Sequence, residues 1–173
     1  MATKAIFQRL AALSALAVIY VSPVSAQTRD SIREVIRKKF PDVRQLSTAD
    51  LAAWLADTNR PAPFLVDARE PEEFQVSHLR GARNLTAVKA VKAAVQSGAP
   101  PVVVYCSVGY RSSALVEKLQ KAGLTNVFNL EGSIFAWANE GRPVQRGTNG
   151  VPEVHPYSAK WGALLDERFH PKR

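Results

Sequence analysis

One short apolar run restricts the fold of this chain more than any other feature of its sequence. Residues 102–105 (VVVY) are apolar without interruption, which is typical of a strand in a parallel sheet that is covered on both faces. Residues 112–122 place Leu115 and Leu119 on one side and end before Gly123, a pattern that predicts an amphipathic helix. A buried strand followed closely by a helix predicts a layered α/β domain.

The same alternation of strand and helix patterns extends over most of the chain. Phe64 to Val66 reads as a second buried strand that ends at Asp67. Further strands are predicted at residues 43–46 and 126–130, and helices at residues 30–40, 47–57, 86–97 and 133–139, with a short turn of helix after Pro71. This alternation predicts an α/β fold with a mainly parallel central sheet and helices on both faces.

Cys106, the only cysteine of the chain, follows the clearest strand directly. Ligands of parallel sheets bind beyond the carboxyl ends of the strands, and the N-terminus of the next helix favours an anion. Gly109 permits the backbone to curl around that anion, and Arg111 adds a permanent positive charge. A lone cysteine is often a buried, inert residue or an intermolecular link. Here its neighbours favour the thiolate and predict a nucleophile.

The number of residues between the cysteine and the arginine limits which reactions the loop is expected to support. Four residues separate Cys106 from Arg111, namely Ser107, Val108, Gly109 and Tyr110. Cysteine phosphatases of similar design have five intervening residues and a wider cradle for a tetrahedral phosphate. The shorter loop is better suited to one additional sulfur atom on the cysteine.

Three segments of the chain resemble the rhodanese-like sulfurtransferases. CSVGYRS (106–112) resembles their active loop, VDAREPEEFQVSHLRGARNL (66–85) their first signature, and NVFNLEGSIFAWANEGRPV (126–144) their closing segment. The resemblance covers residues 46–144. Ser133 stands where the family usually has a second glycine, and Ser77 stands where a glycine often precedes the histidine. Both departures are expected to alter local turns and to leave the reactive loop untouched.

The resemblance implies a rhodanese-like fold and a sulfur-transfer cycle. The Cys106 thiolate would take sulfane sulfur from a small anionic donor such as thiosulfate and form a persulfide. Cyanide or a thiol would then accept the sulfur, and an acceptor protein is a further candidate partner. The loop from Ser107 to Tyr110 would stabilise the outer sulfur, Arg111 would hold the donor, and Ser112 would donate a hydrogen bond to the cysteine sulfur.

Four residues of the first signature are expected to support the site. Asp67, at a strand end, either belongs to the site wall or accepts a hydrogen bond from a backbone amide. Arg69 and Glu73 are expected to form an ion pair with each other that shapes the loop. His78 is either a base or, more simply, a residue that ties the loop by a hydrogen bond.

Tyr110, in the active loop, is expected to be exposed at the loop rim, where it either selects substrate or is an incidental surface residue.

The two ends of the chain have their own patterns. Residues 1–26 combine a charged start, an apolar stretch and the small residues Val24-Ser25-Ala26, which predicts a secretory signal peptide and an exported, periplasmic protein if the source is bacterial. An uncleaved N-terminal anchor is the alternative; after cleavage no stable membrane span is expected. We expect residues 27–44 to contain an amphipathic helix and residues 45–144 to form the domain that resembles the rhodanese-like family. Residues 145–173 are expected to form an extension with a short helix that docks through Trp161, Leu164, Leu165 and Phe169.

Composition limits the partners that this chain is expected to bind. The net charge of +8 is spread along the sequence without a nucleic-acid-binding motif. The three histidines lack ligand spacing and one cysteine cannot build a zinc site, so no metal is expected. The sequence contains no glycine-rich nucleotide-binding loop, and no cofactor is expected.

Two functions other than a sulfurtransferase remain open from the sequence. One is a non-enzymatic module that carries sulfur or binds a partner through the same fold. The other is a cysteine phosphatase or arsenate reductase, which the four-residue spacing disfavours.

Overall fold

The fold is built on a five-stranded parallel sheet. The computed structural model describes residues 23–95 and 100–172, with side chains from Gln27 onward. The strands are β1 (Gln45–Leu46), β2 (Phe64–Asp67), β3 (Arg83–Asn84), β4 (Val102–Tyr105) and β5 (Val127–Leu130). Their order in the sheet is β1-β5-β4-β2-β3, and every neighbouring pair is parallel. The predicted fold class is therefore confirmed.

Helices cover both faces of this sheet. They are α1 (Pro23–Lys39), α2 (Thr48–Ala56), α3 (Pro71–Val76), α4 (Val88–Ala94), α5 (Tyr110–Lys121), α6 (Ser133–Asn139) and α7 (Ala159–Gly162). One core contains residues of α2, α6 and the C-terminal extension. The other contains residues of α1, α4 and α5. Helix α1 and the C-terminal extension thus each contribute to one of the two cores.

The central strand β4 shows why the sheet has two cores. Side chains alternate between the faces of a strand, so Val103 and Tyr105 enter one core while Val102 and Val104 enter the other. All four residues are buried. Burial of a valine stabilises a fold by about 2 kcal/mol. This strand therefore fixes the position of the residue that follows it.

Helix α1 differs from its prediction at its start and along its apolar side. We expected it to begin at Ser31 with Asp30 as its cap, but Asp30 lies inside the helix, whose described part extends from Pro23 to Lys39. Ile36 and Phe40 are buried as predicted, whereas Val35 is 60% exposed. The predicted signal peptide, residues 1–26, lies outside the described residues except for the backbone of its last four, which forms the start of this helix.

Other element boundaries follow local capping. Helix α2 begins after Ser47, whose side chain accepts a hydrogen bond from the Asp50 N–H, as the capping pattern predicts. Helix α5 begins at Tyr110, two residues before its predicted start, because Gly109 adopts a left-handed conformation that allows the chain to turn directly into the helix. Helix α4 begins at Val88 and not at Thr86.

The C-terminal extension is not the single helix that the sequence predicted. After Val144 the chain forms an antiparallel hairpin, β6 (Val144–Arg146) with β7 (Asn149–Val151), and then α7 and a short 3-10 helix (Glu167–Phe169). The helix ends at Gly162, a poor helix former, and the side chain of Asn139 binds the backbone of the next segment at Leu164 O and Asp166 N. The extension nevertheless docks, since Leu164 and Leu165 are buried.

Within residues 23–95 and 100–172, none of the helices has the length and apolar character needed to cross a bilayer.

Candidate active site

The sulfur of Cys106 lies in a tight loop between β4 and α5. Cys106 directly follows the buried strand and is itself 1% exposed. The Gly109 N–H donates a hydrogen bond to the Cys106 sulfur over 3.2 Å, and the Ser112 hydroxyl lies 3.4 Å from the same sulfur. Gly109 has φ +111°, so the loop curls back on the cysteine at a residue that carries no side chain. Both donors stabilise negative charge on the sulfur.

A second element, α6, holds the same loop from the other side. The N–H groups of Ile134 and Phe135 donate to the carbonyl oxygens of Cys106 and Ser107. The Ser133 hydroxyl accepts a hydrogen bond from the Cys106 N–H over 3.1 Å and donates to the Leu130 carbonyl. The expectation that the serine at position 133 leaves the reactive loop untouched is therefore wrong. Its hydroxyl contacts the backbone of Cys106, which a glycine there could not do.

Glu73 joins α3 to the loop through a network of Glu73, Ser107 and Arg111, which we call the Glu73 network. The two Nη atoms of Arg111 donate to the Glu73 carboxylate over 2.7 and 2.8 Å, and the Ser107 hydroxyl donates to it over 2.9 Å. Burial by itself raises the pKa of Glu73. The hydrogen bonds from Arg111, the Glu70 backbone and Ser107, together with the charge of Arg111, outweigh it and lower the pKa. Glu73 is therefore ionised and neutralises Arg111.

Arg111 also contacts an aromatic ring from the extension. Its guanidinium carbon lies 4.7 Å from the ring centroid of Tyr157, within the range of a cation–π interaction. Burial lowers the pKa of Arg111, but the hydrogen bond to Glu73 and the negative charges of Cys106 and Glu73 raise it further than burial lowers it. Arg111 is thus permanently positively charged, and both of its Nη atoms are hydrogen-bonded to the Glu73 carboxylate.

The loop opens into a cleft of about 370 Å³, which we call the Cys106 cleft. Its lining consists of Ile32, Val35, Ile36, Cys106, Ser107, Val108, Tyr110, Arg111, Tyr157 and Trp161. Tyr110 lies at the rim, 45% exposed, with its ring 5.3 Å from that of Phe40. The volume is in the range of sites for small organic ligands.

Half of this lining was missed by sequence reasoning about the site. Ile32, Val35 and Ile36 come from α1, and Tyr157 and Trp161 come from the C-terminal extension. From the sequence, Ile32, Val35 and Ile36 were expected only to form the apolar side of a helix and Trp161 only to pack, and Tyr157 was not singled out. The apolar face of α1 and the aromatic residues of the extension are visible in the sequence and could have been considered as lining. No pattern in the sequence, however, shows that either segment packs next to the Cys106 loop, which lies some 70 residues from α1.

The expected ion pair between Arg69 and Glu73 does not form. Arg69 binds Asp67 instead, with 2.7 Å between Arg69 Nη2 and Asp67 Oδ2, and both side chains are completely buried. Arg69 precedes α3, so the one-turn spacing that would join it to Glu73 within a helix does not apply. Asp67 also accepts a hydrogen bond from the Arg69 backbone N–H. This pair shapes the connection after β2 and does not line the Cys106 cleft.

His78 and Tyr105 organise the loop behind the site. The His78 Nδ1 atom lies 3.1 Å from the Phe74 carbonyl oxygen, and its ring stacks on that of Phe74. Burial and the negative charge of Asp67 raise the pKa of Tyr105 well above 10, so its hydroxyl remains protonated and accepts a hydrogen bond from the Leu79 N–H. Neither ring lines the Cys106 cleft. Among the described residues no group of three or more His, Cys, Asp or Glu side chains could hold a metal ion.

Fold and site together define a class of protein: a parallel α/β domain with a cysteine in a short loop between a central strand and the following helix. The family profile described as "Rhodanese-like domain" matches residues 47–140, more than half of the sequence. The chain therefore belongs to the rhodanese-like domain family, as the resemblance in its sequence predicted.

Two curated proteins show the extent of the similarity. The chain is 37% identical over 78 residues to the uncharacterized protein YqhL of Bacillus subtilis (strain 168), which covers 44% of this chain and 61% of YqhL. It is 30% identical over 97 residues to the thiosulfate sulfurtransferase GlpE of Vibrio cholerae serotype O1, which covers 56% of this chain and 92% of GlpE. This chain therefore spans less than two thirds of the length of YqhL.

A solved structure supports the same family. The crystal structure of a rhodanese-related protein from Thermoplasma volcanium superposes with a TM-score of 0.50 at 31% identity, and it covers 59% of this chain and 97% of that chain. The family profile ends before the extension and begins after α1. The segments that complete the Cys106 cleft therefore lie outside the residues that the profile matches.

Proposed function

We propose that this protein is a sulfurtransferase that moves sulfane sulfur through a persulfide on Cys106. The observation that carries the proposal is the position of the only cysteine: its sulfur accepts hydrogen bonds from Gly109 and Ser112 and lines an open cleft. Membership in the rhodanese-like domain family and the similarity to a thiosulfate sulfurtransferase support it. Thiosulfate is the donor that we propose, and cyanide or a thiol is the acceptor.

The proposed cycle has two balanced half-reactions. In the first, the Cys106 thiolate attacks the outer sulfur of thiosulfate; the new bond joins the two sulfurs, the sulfur–sulfur bond of thiosulfate breaks, and sulfite leaves with the electron pair. In the second, the acceptor attacks the outer sulfur of the persulfide and releases the Cys106 thiolate. Cyanide yields thiocyanate, and a thiolate yields a new persulfide. Covalent catalysis of this kind produces ping-pong kinetics.

The residues around the sulfur have distinct parts in this cycle. The Gly109 N–H and the Ser112 hydroxyl stabilise the thiolate as attacking and as leaving group. The Glu73 network holds the loop in place through the side chains of Ser107 and Arg111. Arg111 lines the Cys106 cleft with its charge offset by Glu73, so we propose that it orients an anionic donor and contributes little net attraction.

Intact mass of the purified protein tests the proposal directly. We expect thiosulfate, under non-reducing conditions, to add the mass of one sulfur atom, and cyanide to remove it. The matched variant Cys106→Ser should show no addition and no thiocyanate production while its circular dichroism and urea unfolding match the wild type. Turnover of thiosulfate by Cys106→Ser, or hydrolysis of an aryl phosphate without any sulfur gain, would contradict the proposed function.

We also propose that the protein is exported, with cleavage after Ala26. The charged start, apolar stretch and small residues of positions 1–26 support export. Cleavage there would remove residues 23–26 from α1 and leave Gln27 as the first residue, so that the lining residues Ile32, Val35 and Ile36 remain in the mature chain. Intact mass of the protein from a periplasmic extract should correspond to a chain that begins at Gln27; full-length mass in the cytoplasmic fraction alone would contradict export.

A further inference from the structure

We infer that the Cys106 cleft selects a thiol acceptor that carries an aromatic or branched apolar body next to its sulfur. The inference rests on the proposed function, and it names the acceptor class for the same site. Its basis is the cleft itself: the size, the apolar lining, the neutralised charge and the position of the nucleophile.

The lining of the cleft is apolar on the two sides that flank Cys106. Ile32, Val35 and Ile36 contribute aliphatic side chains from α1, and Tyr157 and Trp161 contribute rings from the C-terminal extension. Val35 is 60% exposed and Tyr157 is 48% exposed, so both present apolar surface that is accessible to solvent. A ligand with an apolar body gains free energy by covering that surface.

The charge of the cleft favours an acceptor without extra charged groups. Among the described residues of its lining, Arg111 has the only charged side chain, and both of its Nη atoms bind the Glu73 carboxylate. A hydrophilic thiol with several charged groups would lose hydration there without finding partners. An apolar thiol needs only to bring its sulfur to the sulfur on Cys106.

The two flanking segments are held against each other, which keeps the cleft formed. The Arg29 side chain donates from Nε to the Leu164 carbonyl over 2.9 Å and from Nη2 to the Asp166 carboxylate over 2.7 Å. Asn139 of α6 binds the same stretch at Leu164 O and Asp166 N. A pre-formed apolar wall costs little conformational entropy when a ligand binds.

Two reagents that modify thiols can measure this selectivity without any persulfide. Methyl methanethiosulfonate and benzyl methanethiosulfonate each transfer an alkylthio group: the Cys106 thiolate forms the new sulfur–sulfur bond, the reagent's sulfur–sulfur bond breaks, and methanesulfinate leaves. Because Cys106 is the only cysteine, intact mass reports modification at one site. The rate for each reagent is divided by its rate with free cysteine, which removes the difference in intrinsic reactivity.

We expect the normalised rate of benzyl methanethiosulfonate to be at least about tenfold higher than that of methyl methanethiosulfonate, since the ring can bury apolar surface in the cleft. Val35→Ser and Tyr157→Gly should each lower this preference by about threefold or more. Glycine is suited to position 157 because Tyr157 has φ +65°. Leu55→Ser is the matched control, since Leu55 is 40% exposed on α2 and does not line the cleft; it should keep the wild-type preference.

Equal normalised rates in the wild type, or an unchanged preference in both Val35→Ser and Tyr157→Gly, would overturn the inference. A second measurement uses the persulfide and compares phenylmethanethiol with 2-mercaptoethanol, two alkyl thiols of similar basicity, as acceptors. We expect a higher kcat/KM for phenylmethanethiol, and equal values would also overturn the inference. Failure of thiosulfate to form the persulfide counts against the proposed function instead, because the reagent rates do not depend on that step.

Discussion

At the scale of single residues, the sulfur of Cys106 is positioned by groups on both sides of its loop. Gly109 and Ser112 donate to the sulfur from the α5 side, and Ser133 accepts from the Cys106 N–H on the α6 side. In the proposed sulfur transfer, a thiolate held by several contacts needs little reorganisation when it reacts. Positions 109, 112 and 133 are therefore the residues at which a small substitution should affect the site most.

The backbone at Ser133 offers a comparison between two substitutions. Ser133 is completely buried with φ +53°, a conformation that costs about 1 kcal/mol for a residue other than glycine. Both Ser133→Ala and Ser133→Gly remove the hydroxyl. Alanine still has the conformational cost of a positive φ, whereas glycine does not. We expect Ser133→Ala to lower the free energy of unfolding by about 2 kcal/mol and Ser133→Gly to lower it by about 1 kcal/mol less than that.

Urea unfolding of both variants checks this prediction. The two variants serve as controls for each other, because the hydrogen bonds lost are the same. Equal destabilisation by alanine and glycine would mean that the backbone at this position carries no strain.

Glu73 predicts a dependence of stability on pH. The pKa of Glu73 is lowered in the fold from its ordinary value of 4.5, so its contribution to stability is present above that value and is lost as the pH falls through the lower, folded pKa. Glu73→Gln should lower the free energy of unfolding by about 2 kcal/mol at pH 7. The difference between wild type and Glu73→Gln should narrow as the pH falls below 4.5.

Urea unfolding at several pH values between neutral and the acid limit of reversibility measures this difference. Glu117→Gln is the control, because Glu117 pairs with Lys121 on the exposed surface of α5, where such a pair contributes about 0.4 kcal/mol. If the free energies of unfolding of wild type and Glu73→Gln differed by the same amount down to the lowest pH, the assigned role of the carboxylate would be contradicted.

At the scale of elements, Arg29 joins α1 to the C-terminal extension. The Arg29 side chain is 19% exposed and binds both the Leu164 carbonyl and Asp166. Arg29→Met keeps much of the apolar stem and removes these hydrogen bonds. We expect the free energy of unfolding to fall by about 1 to 2 kcal/mol.

Lys121→Met provides the control for Arg29→Met, since it removes an exposed ion pair within one helix and should cost less than about 0.5 kcal/mol. Both variants are compared by urea unfolding in the same buffer. An Arg29→Met variant no less stable than Lys121→Met would show that the contact between the two segments does not stabilise the protein.

At the scale of the whole molecule, the C-terminal extension completes a core that it shares with the sheet. Val154 and Leu165 are buried in the same core as Val103 and Tyr105. We therefore expect a chain that ends after Val151 to expose this core, to unfold at a urea midpoint well below that of the full chain, and to bind a hydrophobic dye. The full chain should unfold in a single transition. An unchanged midpoint in the shortened chain would show that the extension is an independent appendage.

Much of the central domain could be predicted from local patterns in the sequence. The uninterrupted run of residues 102–105 is a buried strand, and α6 spans Ser133–Asn139 as predicted. The capping pattern at Ser47 correctly placed the start of α2. These predictions succeeded because burial on both faces of a strand, helix periodicity and helix caps each depend on residues close together in the chain.

The contacts of charged side chains could not be predicted in the same way. Four acidic residues lie within four positions of Arg69, namely Asp67, Glu70, Glu72 and Glu73, and its pairing with Asp67 depends on where α3 begins. Glu73 binds Arg111, which is 38 positions away. The partner of a buried charge is decided by which groups the folded backbone brings within hydrogen-bond distance, and spacing along the chain does not contain that information.

The sequence by itself determined the class of fold, the position of the only thiol at the end of a buried strand, and the glycine that turns the reactive loop. Only the tertiary structure decided what surrounds that thiol: Ser133 against its backbone, Glu73 on the arginine, and the side chains of α1 and the C-terminal extension along the Cys106 cleft. The physical reason is the range of the interactions. A strand, a cap or a turn is stabilised by neighbours in the chain, whereas a cleft is formed by the packing of segments that are far apart in sequence.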